Sequence, residues 1–382
     1  MFKKVAGQLP VLSFKALRWE ARNLQIGFVG LPLVGKTSFF NLLTGARYPT
    51  GIPGETRVHV GSAAVPDERM DFLAAVFRPD KVTYARVDVR DIPGLDLRGG
   101  DRAAGVRFLE EVRRADALCF VVRAFGAPEV PAYFDEVLPF REFQELHAEI
   151  LLADIMLIEK RLDHIRSGKK IPKQSETEVA LLERCYEILN NEQAIGKAVV
   201  LPEEEAIFAG YGFLTAKPFI IAVNLDETGL HLGDYPQREM LVQYAAGHGI
   251  PLVEVSARIE AEIAQLPPDD RAEFLNDLGF REPGIGRLAK AAYRALGLVS
   301  FFTVDGDELK AWTVKEGTTV KKAAGRVHSD MERGFIRAEV MEFNDLRRLG
   351  MPAKVREAGL LRIEGKDYIV RDGDIIHFRF KV

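Results

Sequence analysis

A short segment near the start of the chain has the residue spacing of a phosphate-binding loop. It reads Gly-Leu-Pro-Leu-Val-Gly-Lys-Thr from Gly30 to Thr37 and joins an apolar strand pattern to a helical one. In such loops the glycines let backbone amides turn toward phosphate oxygens, and the helix that follows presents its positive end. We expect Lys36 to reach the β- and γ-phosphates and the hydroxyl of Thr37 to bind Mg²⁺.

A carboxylate after a later strand pattern is the expected partner of this loop. Asp91 opens the turn Asp-Ile-Pro-Gly, which closes at Gly94. Mg²⁺ prefers hard oxygen ligands and keeps several waters, so we expect Asp91 to hold the ion through a water. The expected phosphate-binding residues are Leu33, Val34, Gly35, Lys36, Thr37, Ser38 and Gly94.

A polar segment further along occupies the place where GTP-binding P-loop proteins carry the base-reading sequence Asn-Lys-x-Asp. Here the lysine that would cover the base is Leu225, and the final aspartate is the longer Glu227. A displaced acceptor leaves the guanine donors unpaired, so we expect weak guanine selectivity and acceptance of adenine. Asp226 is the alternative guanine acceptor. The expected base-binding residues are Asn224, Leu225, Glu227, Ser256 and Ala257, the last two supplying a backbone amide.

The elements that must position these residues follow an alternating pattern of strands and helices. Apolar runs at residues 24–29, 117–125, 218–223 and 252–255 are continuous rather than alternating in polarity. Continuous apolar strands separated by helical patterns are typical of a parallel sheet that is buried on both faces. We therefore predict an α/β fold built on a P-loop NTPase parallel sheet.

Two further segments interrupt or follow that pattern. Apolar residues at helical spacing, on both sides of a Gly- and Pro-containing break, predict an antiparallel helical hairpin inserted at residues 141–214. This hairpin either packs only on itself or forms an exposed arm for a large partner. Residues 299–382 predict a separate β-grasp-like module. The remaining predicted parts are an N-terminal extension at 1–23 and a nucleotide-binding domain at 24–140 and 215–297.

The composition is that of an ordinary globular protein of 382 residues, with 47% hydrophobic and 28% charged residues. A formal net charge of −4 disfavours a strongly basic nucleic-acid binder. Cys119 and Cys185 lack neighbours at metal-ligand spacing, so we expect both to be reduced core residues of a cytoplasmic protein. No apolar run is long enough to span a bilayer, and the first residues lack a signal-peptide cleavage pattern, so we expect no membrane association.

Together with the phosphate loop, several downstream segments resemble the YchF or Obg-like ATPases, a branch of the translation-factor GTPases. The resemblance extends from residue 24 to the C-terminus. It implies a nucleotide domain with a helical-hairpin insertion and a C-terminal TGS domain, a preference for ATP over GTP, and association with the ribosome or ribosomal RNA. The segments that carry it include Val65-Pro66-Asp67-Glu68-Arg69, Asp91-Ile92-Pro93-Gly94-Leu95, Ser256-Ala257-Arg258-Ile259-Glu260 and Gly334-Phe335-Ile336-Arg337-Ala338-Glu339-Val340.

The departures from that family concern catalysis. Leu33 replaces a phosphate-loop Asn that helps to place a monovalent cation in related GTPases, and Phe120 replaces a His to which a catalytic role is assigned. Leu95 stands where Ras-like enzymes carry a water-positioning Gln, and Thr56 is the candidate counterpart of the family's Mg²⁺-sensing Thr. We therefore expect slow, Mg²⁺-dependent hydrolysis of ATP. The alternatives are a GTPase of ribosome assembly and a nucleotide-sensing protein with negligible catalysis.

Overall fold

The computed structural model describes residues 24–52, 55–99, 102–127, 130–167, 173–193 and 195–381. The predicted N-terminal extension, residues 1–23, lies outside the described residues. The described chain divides into two compact units, one of residues 144–217 and one of residues 24–143 with 218–382. None of the helices in these ranges is both long and apolar enough to cross a membrane.

The strands and helices are numbered in chain order. The strands are β1 (Gln25–Val29), β2 (His59–Ala64), β3 (Lys81–Thr83), β4 (Arg86–Asp91), β5 (Ala117–Ala124), β6 (Phe219–Leu225), β7 (Leu252–Val255), β8 (Leu298–Asp305), β9 (Glu308–Lys315), β10 (Phe335–Glu342), β11 (Arg362–Glu364) and β12 (Asp374–Phe380). The helices are α1 (Lys36–Thr44), α2 (Glu68–Phe77), α3 (Arg102–Arg114), α4 (Pro139–Arg166), α5 (Lys173–Asn190), α6 (Pro202–Tyr211), α7 (Glu227–Leu232), α8 (Arg238–His248), α9 (Ala257–Gln265), α10 (Pro268–Asp277), α11 (Gly284–Ala295), α12 (Val320–Val327), α13 (Ser329–Arg333), α14 (Phe343–Leu349) and α15 (Pro352–Glu357).

The first sheet has the strand order β2-β4-β1-β5-β6-β7. Its strands pair in parallel, except that β2 runs antiparallel to β4 at one edge. All eight residues of β5 are buried, which is why this strand is apolar at every position except Arg123. The predicted α/β fold with a parallel sheet is confirmed. The edge strand β2 was not predicted, because its residues are of mixed polarity and mostly only partly buried.

The unit of residues 144–217 contains most of α4 together with α5 and α6. Ile158 and Leu162 of α4 share a buried core with Leu181 and Leu182 of α5. The carboxylate of Asp154, which is fully buried, accepts hydrogen bonds from the backbone N–H groups of two residues that follow α6. The insertion therefore contains α6 and a short 3₁₀ helix, Ile195–Ala198, in addition to the two predicted helices.

The second sheet has the strand order β11-β10-β12-β8-β9-β3. Helices α12 and α13 pack on one face of this sheet around Phe301 and Val340. The edge strand β3 comes from the part of the chain that precedes β4, and it pairs in parallel with β9. Phe302 and Phe343 share one buried core with Met70 and Leu73 of α2. The C-terminal module is therefore joined to the first sheet by a strand pair and by a common core.

An arginine from the Val-Pro-Asp-Glu-Arg segment connects α2 to the C-terminal module. The carboxylate of Asp67 caps α2 by accepting the backbone N–H of Arg69 at 3.0 Å. The guanidinium of Arg69 donates to Asp67 at 2.8 Å and to Asp372 at 2.8 Å, and it lies over the ring of Phe302. Asp372 in turn accepts the backbone N–H of Ser300 at 2.8 Å. Arg69 thus holds α2 against β8 and the turn before β12.

Replacing Arg69 by alanine should lower the free energy of unfolding by about 1–2 kcal/mol. The variant loses charge-assisted hydrogen bonds to two carboxylates, but the half-exposed Asp372 is partly screened by water. Arg348→Ala is the matched control, because Arg348 forms an exposed pair with Asp345 within one helix and should change stability by less than about 0.5 kcal/mol. Urea denaturation of the full chain measures both variants. Equal midpoints for the two would contradict this role of Arg69.

Candidate nucleotide site

The phosphate loop crosses from the end of β1 to the start of α1 in a backbone conformation that needs glycine. Gly35 has a φ of 102°, and a Cβ built on it would lie only 2.2 Å from the side-chain nitrogen of Asn224. Leu33 has a φ of 66°, a left-handed conformation that leucine rarely adopts. The loop therefore departs from ordinary backbone geometry at two residues, one on each side of Val34.

Lys36 is the first residue of α1 and is almost completely buried. Its Nζ donates to the backbone oxygens of Gly30 at 3.2 Å and Leu31 at 2.8 Å. Burial lowers the pKa of Lys36 to about 8, while the carboxylates of Asp91 and Glu142 act in the opposite direction. Phosphate oxygens are stronger acceptors than these two carbonyls, so a bound phosphate would draw the ammonium group of Lys36 toward itself.

Thr37 and Asp91 lie side by side at the end of the loop. The hydroxyl of Thr37 donates to the Oδ2 of Asp91 at 2.7 Å, and Asp91 is almost fully buried at the end of β4. The same carboxylate oxygen lies 3.3 Å from the Nδ1 of His59. The structure thus brings together the two residues for which the sequence predicts Mg²⁺ binding. It also adds a histidine that the sequence analysis did not select.

The remaining residues that were predicted to bind phosphate or metal, Gly94, Ser38 and Thr56, lie in different surroundings. Gly94 packs directly on the phosphate loop, since a Cβ built on it would lie 2.7 Å from the backbone nitrogen of Pro32. Ser38 follows Thr37 on α1 and is partly buried. Thr56 is exposed, and its backbone N–H donates to the carboxylate of Glu55. Among the described residues, no contact joins Thr56 to Thr37 or Asp91, so its expected role stays a prediction.

Asn224 links the phosphate loop to the predicted base-binding segments. Its Nδ2 donates to the backbone oxygen of Val34 at 3.0 Å, and its Oδ1 accepts the backbone N–H of Ala257 at 3.0 Å. Ser256 is buried and caps α9 by accepting the backbone N–H of Ile259. The structure therefore brings the predicted Asn224, Ser256 and Ala257 together. The Ala257 amide that was expected to meet the base is already bonded to Asn224.

The three residues that follow Asn224 differ in burial and in the hydrogen bonds that they make. Leu225 is buried in the strand, so it is not placed to cover a base as a lysine would. Asp226 caps α7: its Oδ1 accepts the backbone N–H of Gly229 at 2.8 Å, and its Oδ2 accepts that of Gly126 at 3.2 Å. Glu227 begins α7 and is exposed. Within the described part of the chain, the carboxylate of Glu227 accepts no such backbone bond, unlike that of Asp226.

The residues that replace catalytic groups of related enzymes are part of the core. Phe120 is 1% exposed, and its ring lies 5.2 Å from the rings of both Phe143 and Phe219. Leu95 is also buried, directly after Gly94. Neither side chain carries a group that can activate or orient water. The site therefore combines intact elements for holding phosphate with apolar residues at two positions associated with hydrolysis.

Two groups near the site were not identified from the sequence. His59 reaches Asp91 because β2 pairs antiparallel with β4 and places these residues opposite each other. Glu142, in the first turn of α4, accepts the backbone N–H of Arg123 at 2.9 Å and is 2% exposed. Its Oε1 has no hydrogen-bond partner among the described residues. Both contacts join segments far apart in the chain, and a local motif contains no signal for them.

The fold and the site together define a class of protein. A mostly parallel sheet with a phosphate loop after β1, a carboxylate at the end of β4 and an Asn near the end of β6 is the arrangement of a P-loop NTPase related to the GTPases. Two family models match the chain. One, described as "50S ribosome-binding GTPase", matches residues 25–158, and the C-terminal model of YchF GTPases, described as "Protein of unknown function (DUF933)", matches residues 298–381.

Relatives with the same family name match this chain over most of its length, in agreement with the two family models. The ribosome-binding ATPase YchF of Bacillus subtilis (strain 168) is 36% identical over 372 residues, which cover 94% of this chain and 100% of the relative. Obg-like ATPase 1 of Oryza sativa subsp. japonica is 35% identical over 379 residues, covering 94% of this chain and 93% of the relative. The structure of the Schizosaccharomyces pombe YchF GTPase matches with a TM-score of 0.78 and 29% identity, covering 94% of this chain and 98% of that one. The chain belongs to the YchF family, which confirms the resemblance in the sequence.

Glu142 should make the stability of the protein depend on pH. Burial raises the pKa of Glu142 to about 7, although the Arg123 backbone and the charges of Arg123 and Lys36 favour the carboxylate. Because the folded-state pKa lies above the unfolded one, this contribution is present below about pH 4.5 and is lost as the pH rises through about 7. Between pH 5 and pH 8 the loss should be about 2–3 kcal/mol.

Denaturant titrations at pH 5 and pH 8 test this effect with Glu142→Gln, which mimics the protonated acid. The decrease in unfolding free energy between the two pH values should be smaller in this variant than in the parent by about 2 kcal/mol. Glu149→Gln, an exposed change on the same helix, should behave like the parent. A Glu142→Gln variant with the parent's full pH dependence would show that Glu142 does not titrate in this range.

Proposed function

We propose that this protein is a nucleotide-dependent switch that binds and slowly hydrolyses ATP with Mg²⁺ and associates with the ribosome. The contact that carries the proposal is the bond between Thr37 and Asp91 at the end of the phosphate loop, beside the buried Lys36. This arrangement provides phosphate-binding amides, a positive charge and metal ligands within one loop. The names of the relatives, ribosome-binding ATPase and Obg-like ATPase, point to the same activity and partner.

The donor set fits Mg²⁺. A hydroxyl and a carboxylate are hard oxygen ligands, and an ion that keeps several waters needs only one or two protein ligands in addition to phosphate oxygens. Thr37 would bind the ion directly and Asp91 would hold one of its waters. Mg²⁺ held by these residues would supply positive charge to the phosphates, and Lys36 would bind the same phosphates.

The base-binding segment supports adenine rather than guanine. Guanine recognition needs a carboxylate at fixed distance, and the oxygens of Asp226 already accept two backbone N–H groups. Glu227 is exposed but one methylene longer than the aspartate that reads guanine. Leu225 is buried and leaves the base uncovered. A GTPase remains the second candidate, because Glu227 is free to turn toward a base.

Membership of the family supports both the proposed partner and the proposed domain assignment. We propose a nucleotide domain at residues 24–140 and 215–297, a helical hairpin at 141–214 and a TGS domain at 299–382, working in the cytoplasm where ribosomes are found. Bound nucleotide would order the segments around Thr56 and after Asp91, and so change what the protein presents to the ribosome.

Equilibrium binding of ATP and GTP to nucleotide-free protein, with and without Mg²⁺, tests the nucleotide assignment. We expect ATP to bind at least several-fold more tightly than GTP. Lys36→Ala should weaken both by about 100-fold, the loss of strong charge-assisted hydrogen bonds, while its melting temperature stays near that of the parent. A clear preference for GTP would favour the GTPase alternative. A Lys36→Ala variant that binds ATP like the parent would contradict the site itself.

Co-sedimentation with purified ribosomes tests the partner. The parent should pellet with ribosomes, and the bound fraction should differ between a non-hydrolysable ATP analogue and ADP. The Lys36→Ala variant should show no difference between the two nucleotides. No pelleting of the parent in any nucleotide state would contradict the ribosome assignment. Single-turnover ATP hydrolysis with and without ribosomes separates a slow ATPase from a nucleotide sensor with negligible catalysis.

A further inference from the structure

His59 occupies a position between the candidate metal ligands and the chain segment that follows α1. It is the first residue of β2 and lies directly opposite Asp91 in the antiparallel pairing with β4. The side chains of both residues are largely buried, with 13% and 5% exposed. A carboxylate only accepts hydrogen bonds, so the Nδ1 of His59 carries the proton in the 3.3 Å contact with the Oδ2 of Asp91.

A tyrosine fixes the plane of the His59 ring. The ring of Tyr48 stacks on it with centroids 3.8 Å apart and planes 21° apart. Tyr48 is itself held by the side chain of Asn41, which donates to the Tyr48 backbone oxygen at 2.8 Å and accepts its N–H at 3.0 Å. Asn41 lies on α1, the helix that also carries Thr37. The ring orientation is thus set by stacking and by two hydrogen bonds one step away.

These contacts form a closed cycle that includes the candidate metal ligands. The Oδ2 of Asp91 accepts hydrogen bonds from the hydroxyl of Thr37 and from the Nδ1 of His59. The cycle continues from His59 through Tyr48 to Asn41, and it closes because Asn41 and Thr37 both lie on α1. Since Oδ2 accepts both bonds, and Oδ1 of Asp91 accepts no side-chain hydrogen bond among the described residues, Oδ1 is the oxygen that would face a metal-bound water. Loss of a side chain that fixes a metal ligand in this way typically lowers metal affinity by about 10- to 100-fold.

From this geometry we propose that His59 is a positioning residue for the Mg²⁺ site, which holds Asp91 in the rotamer that receives a metal-bound water. The inference rests on the proposed function, since it assumes an Mg²⁺–nucleotide complex at the phosphate loop. His59 does not touch nucleotide or metal. It acts through Asp91, and Tyr48 ties this action to the segment between α1 and β2. Loss of the His59 hydrogen bond therefore lowers the affinity for Mg²⁺ and leaves nucleotide binding without the metal unchanged.

The test is the Mg²⁺ dependence of ATP binding by the full-length His59→Phe variant. Phenylalanine retains a ring that can stack on Tyr48 but has no N–H for Asp91. We expect the Mg²⁺ concentration at half-maximal ATP affinity to rise about tenfold. The ATP affinity measured in EDTA should equal that of the parent. His59→Asn, whose amide retains a donor, should recover part of the shift and provides the measurement if the phenylalanine variant does not fold.

His248→Phe is the matched control. The His248 ring also stacks on a tyrosine, Tyr244, with centroids 4.2 Å apart, and its Nδ1 lies 2.8 Å from the Tyr244 backbone oxygen. It should leave the Mg²⁺ midpoint unchanged. An unchanged midpoint in His59→Phe, or equal weakening of ATP binding with and without Mg²⁺, would overturn the positioning role alone. A parent whose ATP binding ignores Mg²⁺ would overturn the metal in the proposed function and this inference with it.

Discussion

The amide side chain of Asn224 is the contact on which the geometry of the site depends. It bonds the backbone oxygen of Val34 in the phosphate loop and the backbone N–H of Ala257 at the start of α9, both at 3.0 Å. Gly35 lies so close to this amide that any larger residue would displace it. Removing the amide would take the partner from the buried backbone oxygen of Val34, at about 1–3 kcal/mol, and from the partly buried N–H of Ala257 at a smaller cost. This structural role does not depend on which base is bound. Leu225 and Glu227 can therefore depart from a guanine-reading sequence while the phosphate loop keeps its shape.

A continuous strand and helix connect the candidate metal ligands to the C-terminal module. β2 begins at His59, opposite Asp91, and the chain then reaches α2, where Arg69 bonds Asp372. The strand β3, directly after α2, pairs with β9 of the same module. A displacement of β2 would therefore act on α2, which shares a core with the C-terminal module, and on β3, which shares a sheet with it. Coupling along such a route is a free energy that requires two discrete arrangements, and the segment between α1 and β2 is where bound nucleotide would create them.

The parts of the fold that could be predicted are those that a local pattern determines. β5 and β7 were predicted closely, because most of their residues are apolar, and all of β5 is buried. The phosphate loop was predicted from the spacing of its glycines, of which Gly35 has a positive φ. The strands β2 and β3 were missed, since each is an edge strand whose pairing depends on a distant segment. The contact between His59 and Asp91 follows from that pairing and was missed for the same reason. Asp226 was considered as a guanine acceptor, but its backbone bonds arise only when α7 and the Gly126 loop are folded.

The replacements at Phe120 and Leu95 have a physical consequence for a switch. Phe120 packs against two other phenylalanines, and Leu95 is buried directly after Gly94, so both stabilise the core where other enzymes place polar groups. A P-loop protein without an ordered water or a supplied arginine hydrolyses its nucleotide at roughly 10⁻⁴ s⁻¹, so a bound ATP that does not dissociate persists for hours before hydrolysis. In the proposed switch, hydrolysis by the protein alone is therefore too slow to end the ATP-bound state, and that state ends when ATP dissociates or when a partner supplies the missing catalytic group.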